Sequence, residues 1–273
     1  MSRVRIKRKG RWLGLYSWAL LLYLLVPIIG MIFFSFNKVL AGHPQVSFQW
    51  NGATLRWYES LTKVPGLPEA FWLSIRLAVV ATIISSIVGT LLALALVRYE
   101  GKKFRGRGVV DQTLFMNIAA PEIVMGASLL GLFATYHVSR GFLTLLASHV
   151  VFCIAYVTVT VRARLQGFDR HLEEAAGDLG ATPLQTFRLV TLPMITPGVL
   201  AGAMMAFALS LDDFVVSAFV SGNTLPFPVW VYAATRMGVP PQVFVFGTII
   251  FLLGLAAAVA SLVTGRKGLP AKA

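Results

Sequence analysis

HLEEAAGDLGATPLQTFRLVTLPMITP, His171 to Pro197, is the longest polar and charged segment in an otherwise apolar chain. Leu172–Gly180 reads as a short helix with its acids early, where the positive end of a helix dipole favours them. Ala176 and Gly180 are four apart and share a face of that helix. That face carries almost no side-chain bulk, so another protein surface can come close to the backbone. Thr182-Pro183-Leu184-Gln185 reads as a capping box with proline at the first helical position. Leu184, Phe187, Leu189 and Val190 continue a second helix until Pro193 breaks it ahead of an apolar run. On geometry alone, an amphipathic cytosolic linker explains the stretch as well as a docking element does.

Outside this stretch the chain is membrane material. Of 273 residues, 57% are hydrophobic and 13% charged. Apolar runs at 13–36, 70–97, 112–136, 142–162, 194–220 and 243–264 are each long enough to cross a bilayer as a helix. Lone strands cannot satisfy their backbone in lipid, so an all-α integral membrane protein with six transmembrane helices is expected. The first run follows Arg3–Arg11 but is far longer than the core of a secretion signal, so it reads as a retained span.

The connecting loops set the orientation. With the N-terminus inside, the inner segments hold six basic residues before the first run and five in Arg98–Arg107. Four more lie in Arg162–Arg188 and three after Gly265, against five in all the outer loops. That asymmetry places both termini and the 171–193 segment in the cytoplasm. The net charge of +13 is spread over short loops with no separate basic domain, which argues against nucleic acid as a partner. A single cysteine, Cys153 in an apolar run, excludes an internal disulfide and offers no metal cluster. No GxxxxGK[ST] phosphate loop and no catalytic constellation occur, so any ATP hydrolysis belongs to a separate subunit and no cofactor is expected here.

Glu174-Ala175-Ala176, three residues, Gly180, nine residues, Val190, one residue and Leu192-Pro193 resemble the EAA signature of binding-protein-dependent ABC importer permeases. Valine stands where isoleucine is usual in that signature. The resemblance implies the type I ABC importer permease fold in a bacterial inner membrane. It makes Glu174, Ala175, Ala176, Gly180, Leu192 and Pro193 the elements of a segment that docks on a cytosolic ATPase. It further implies a second homologous permease, two copies of the ATP-binding subunit and an extracytoplasmic substrate-binding protein. The expected division is a cytoplasmic tail at 1–12, a first helix at 13–36 and an external loop at 37–69. An ABC transmembrane domain at 70–264 containing the 171–193 coupling segment follows, with a cytoplasmic tail at 265–273.

Charge inside the membrane is expensive and marks candidate chemistry. Glu122 follows Pro121 near the middle of the third run, and Asp212 and Asp213 fall in the fifth. At 1.5 Å per residue, 15 residues carry the aspartates roughly 22 Å into a core of about 30 Å. On a continuous helix adjacent aspartates point about 100° apart. Asp213 shares a stripe with Ser210, Ser217, Ala206 and Gly202, while Asp212 lies beside Met205, Leu209, Val216 and Phe219. Either one could face a pathway, and any of the acids could instead cap a helix break or pair with Arg76. Three carboxylates invite a cation, and aromatic faces such as Trp57 add cation–π attraction. Trp57 serves equally well in an interfacial aromatic belt.

Thr54–Tyr58 (TLRWY), Pro121–Val124 (PEIV), Ser148–Cys153 (SHVVFC), Phe207–Phe214 (FALSLDDF) and Arg236–Pro240 (RMGVP) resemble the spermidine/putrescine importer permeases. Glu122 replaces the aspartate usual there. The resemblance implies a polyamine cargo, with Asp212, Asp213, Glu122 and Trp57 along its route. An importer for another cationic or metal cargo, such as ferric iron or thiamine, competes with that reading. A self-contained carrier or channel is the alternative from a different class.

Overall fold

The apolar runs fold as helices, which close every backbone hydrogen bond within the segment and so tolerate lipid on all sides. The computed structural model describes residues 10–39, 45–46, 48–98 and 106–266. Most of the two tails and of the Arg98–Arg107 loop named above lie outside them. The elements are α1 (Gly10–Phe34), α2 (Arg56–Glu59), α3 (Leu67–Arg98), α4 (Arg107–Ala119), α5 (Glu122–Thr135) and α6 (Phe142–Gln166). They continue with α7 (His171–Asp178), α8 (Pro183–Thr186), a π-helical turn (Phe187–Thr191), α9 (Leu192–Asp212), α10 (Val215–Val220), α11 (Phe227–Thr235) and α12 (Gln242–Arg266). Among the described residues the only β pairing is an isolated bridge between Asn37 and Ala53. The all-α expectation holds.

The chain divides into two compact units. The larger spans residues 66–233 and is organised on α6, against which α3 and α9 both pack. Its central cluster joins Ala93 and Leu94 of α3, Phe152, Cys153, Val157 and Val161 of α6, and Ile195 and Ala206 of α9. Small residues set the helix separations, as expected where lipid removes the hydrophobic drive between helices. A β-carbon on Gly89 would stand 2.8 Å from Val157 Cγ1, so α3 and α6 approach to backbone distance there. The proline- and aromatic-rich stretch after α10 folds back as α11, where the Phe227 N–H donates to Ser74 Oγ at 2.8 Å. The smaller unit contains α1 and the loop that follows it. That loop is pinned by Trp57 Nε1, which donates to the Asn37 carbonyl at 2.7 Å, and by a Phe33–Trp50 stack with centroids 4.3 Å apart.

The helix count differs from the expectation of six plain spans. Trp12–Phe34, Leu67–Arg98, Phe142–Gln166 and Pro183–Asp212 are long and apolar enough to cross a membrane unaided. The third run is two helices, α4 and α5, meeting at 112° and making a fifth span if taken as one. Pro121 causes this: the helix must end before a proline that has no N–H and disfavours helix at the residue ahead of it. The sixth run is α12, with a shorter apolar stretch at Gln242–Ala256.

The fifth run is also broken. α9 stops at Asp212, Asp213 turns extended (φ −62°, ψ 114°), and α10 starts at Val215. The two aspartates therefore do not lie on one continuous helix, and the 100° argument does not apply to them. Pro193, by contrast, does not break its helix. The chain ahead of it widens into the π-helical turn, closed by the Leu192 N–H on the Phe187 carbonyl, and Pro183–Asp212 runs on as one span.

Candidate functional site

The two breaks face one another across a single cavity. The 112° bend puts Glu122 at the first turn of α5, and the α9–α10 break presents Asp212 and Asp213. Together with Asn117, Phe152 and Tyr156 these residues line a cavity of about 420 Å³. Helices α5 and α10 close around it because Gly126 has no side chain. A β-carbon there would lie 2.6 Å from the Phe219 ring and 3.3 Å from Val216 Cα.

The three carboxylates stand in different surroundings. Glu122 and Asp212 are exposed to the cavity and have no hydrogen-bond or ion-pair partner among the described residues. Arg76 is exposed on α3 and likewise makes no ion pair among the described residues, so it does not neutralise either acid. Asp213 is consumed by the fold. Its carboxylate accepts from the N–H groups of Val216 (3.2 Å) and Ser217 (2.8 Å), capping α10. The His149 ring on α6 lies 3.4 Å from it through Nε2. The same ring bridges the break, with Nδ1 2.7 Å from Ser210 Oγ on α9 and Nε2 3.0 Å from Ser217 Oγ on α10. The Gly202–Ala206–Ser210–Ser217 stripe is the contact with α6.

In the sequence His149 stands only within the Ser148–Cys153 patch, and no local pattern places it at the break. Trp57, the fourth candidate along the route, belongs to the other unit, where its indole N–H holds Asn37.

The cytosolic segment is built as follows. Thr182 and Gln185 form the expected capping box: Gln185 Oε1 accepts the Thr182 N–H at 2.8 Å, and Thr182 Oγ1 accepts the Gln185 N–H at 3.4 Å. Gly180 does not share a face of α7 with Ala176, because it lies beyond the helix at φ +85°. Its N–H reaches the Gly177 carbonyl (2.8 Å) and the Ala181 N–H reaches the Ala176 carbonyl (3.0 Å), a Schellman ending. Glu174 and Ala175 are exposed on α7, and Leu192 and Pro193 are exposed at the start of α9.

Three contacts unforeseen in the sequence fasten α7 to the end of α3 and to the π-helical turn. Glu173 pairs with Arg98 at the end of α3 (2.6 Å) and accepts from the Thr191 hydroxyl. Arg170 Nη2 donates to the Val97 carbonyl at 2.7 Å. His171, fully exposed, is held above its ordinary pKa of 6.5 by its hydrogen bond to the Glu174 carboxylate and by the nearby charge of Asp169.

With that geometry in place, a family model described as the binding-protein-dependent transport system inner membrane component matches residues 85–267. The chain belongs to that family. This inner membrane component is 42% identical over 246 residues to the spermidine/putrescine transport system permease protein PotC of Haemophilus influenzae, covering 90% of this chain and 93% of the relative. Against PotC of Escherichia coli K12 it is 40% identical over 263 residues, 96% and 95% of the two chains. The putrescine transport system permease protein PotI of the same organism is 38% identical, covering 84% of this chain and 81% of that one. The structure of a bacterial ABC transporter involved in the import of the acidic polysaccharide alginate superposes with a TM-score of 0.61 at 18% identity. It covers 96% of this chain and 98% of its own, and shows a shared fold. The inner membrane component is thus homologous to transport permeases, and its fold is that of ABC transporter membrane subunits.

Proposed function

We propose that this chain is a permease subunit of an ATP-driven importer for polyamines, spermidine or putrescine. The observation that carries the reading is the pair of unpartnered carboxylates, Glu122 and Asp212, opening with Tyr156 and Phe152 into one cavity between two broken helices. Discontinuous helices facing a cavity are a recurring way to place polar groups inside a membrane. Ammonium groups separated by methylenes match acids interleaved with rings, by charge-assisted hydrogen bonds and cation–π attraction. The 38–42% identity to permeases named for spermidine and putrescine supports the cargo. Trp57 is a further candidate along the route, and Asp213 borders the same cavity at the α9–α10 break.

In this proposal the domain at 70–264 crosses the bacterial inner membrane with both termini cytoplasmic. The 171–193 segment docks on a cytosolic ATPase through Glu174, Ala175, Ala176 and Gly180, backed by Leu192 and Pro193. Exposed Leu172, Leu179, Leu184 and Leu189 give that surface an apolar component. The assembly holds a second homologous permease, two ATP-binding subunits and an extracytoplasmic binding protein, and this chain carries no cofactor, metal or catalytic site of its own. The test is uptake of labelled putrescine and spermidine by cells carrying or lacking the chain together with its partners. Uptake that needs both the chain and ATP supports the proposal. Uptake of ferric iron or thiamine instead of polyamine reassigns the cargo, and ATP-independent flux overturns the importer class.

A further inference from the structure

We infer that the adjacent aspartates divide the work: Asp212, with Glu122, meets the cargo, while Asp213 and His149 are positioning residues that hold the α9–α10 break open toward it. The assignment rests on the importer reading above for its cargo, but its geometry stands independently.

The argument starts from what each acid touches. The Asp213 side chain is 5% exposed and His149 1% exposed, although Asp213 borders the cavity. Both Asp213 oxygens accept backbone N–H groups of α10, so their hydrogen-bonding capacity is largely used within the chain. Those amides would otherwise be orphans, since the first N–H groups of any helix have no partner inside it. His149 bonds one hydroxyl ahead of the break and one beyond it, so a single ring on α6 fixes both helix ends. Thr144, five residues earlier on α6, repeats the pattern by donating to the Val220 carbonyl at the far end of α10 (2.9 Å). The short helix is therefore tied to α6 at both ends.

Asp212 contrasts with all of this. It is the last residue of α9, exposed, and without a partner among the described residues. A carboxylate in that condition keeps its full capacity for an incoming ammonium. The break, stapled from behind by His149 and Asp213, presents Asp212 to the cavity into which the Pro121 bend brings Glu122.

The experiment uses the assembled complex in a Cys153→Ala background. Asp212→Cys and Asp213→Cys are exposed to a cationic methanethiosulfonate reagent, and Asp212→Asn, Asp213→Asn, Asp213→Ala and His149→Gln are compared in uptake per intact complex. The expected result is rapid labelling at position 212 and slow labelling at 213. Asp212→Asn should raise KM for polyamine on the order of tenfold or more, the loss of one charge-assisted hydrogen bond. Asp213→Asn keeps one acceptor oxygen for the α10 N–H groups and removes no contact with cargo, so its KM should stay within about threefold of wild type. Asp213→Ala and His149→Gln should lower the maximal rate or the yield of complex, with KM preserved in what assembles.

Faster labelling at 213 than at 212, or a KM for Asp213→Asn raised as far as that of Asp212→Asn, would overturn the division. Should the wild-type complex move neither polyamine, the proposed cargo fails while the labelling pattern still decides the roles. Should Asp213→Cys not assemble, the Asp213→Asn comparison decides them.

Discussion

Gly180 separates two explanations of the coupling segment. It ends α7 at φ +85°, a left-handed conformation, and nothing lies within 4 Å of where its β-carbon would sit. Within this chain, then, a substitution costs backbone energy and meets no steric obstacle. An L-residue in that region is disfavoured by about 1–2 kcal/mol, with Asn and Asp penalised least because they visit it readily. A cost of about 1 kcal/mol lowers the population of the correct turn about fivefold. The turn sets the angle between α7 and α8, so ATPase co-purification and ATP-driven uptake per inserted chain should fall in the order Gly, Asn, Asp, Ala, Val. Val is last because β-branching adds to the strain. If the position acts through low bulk against the ATPase, the order changes, with Ala best tolerated and Asn worse. Full activity for Gly180→Ala beside a defective Gly180→Asn would refute the backbone argument.

Three further predictions follow from the same geometry. Gly126→Leu should drive a side chain into Phe219 and the Val216 backbone, costing about 1–3 kcal/mol by overpacking. A lower melting temperature of the purified complex would register it, and an unchanged one would contradict the close packing of α5 on α10. His171 should titrate above 6.5, and Glu174→Gln should bring its midpoint back down, read by NMR of the imidazole. Because the folded value is raised, the stabilisation from this pair is present below 6.5 and is lost as pH rises through the folded value. An unchanged midpoint in Glu174→Gln would remove the pair from the account. Tags near Gly177 should be cytoplasmic and tags near Gly52 and Gly222 external, and labelling of the Gly177 site from outside would reverse the topology.

What could be read in the sequence was what depends on local pattern. The helical character of the apolar runs and the Thr182–Gln185 capping box depend on neighbours a few residues away, and the structure has both. The third run reads as one span in the sequence although Pro121 stands within it, and the 112° bend appears only where α5 packs on α10 through Gly126. The break at Asp213–Phe214 was invisible because no proline or glycine marks it. It exists because a histidine 64 positions earlier in the chain and the amides of α10 together reward leaving the helix. The widened turn before Pro193 is of the same kind: proline needs relief from the preceding carbonyls, and the sequence does not say whether a break or a π-helical turn supplies it. Gly180, read as sharing a helix face with Ala176, instead ends α7 in a positive-φ turn, which depends on the backbone and not on side-chain spacing.

The central claim is that Glu122 and Asp212 carry a cation through the cavity. The decisive measurement is uptake of labelled putrescine and spermidine, normalised to intact complex, by the double variant Glu122→Gln/Asp212→Asn. The replacements keep size and one acceptor oxygen each and remove both charges. Two lost charge-assisted hydrogen bonds, at roughly 1.5–3 kcal/mol each, predict a fall of more than a hundredfold with assembly and ATPase binding intact. Polyamine uptake at the wild-type rate in a fully assembled double variant would contradict the account.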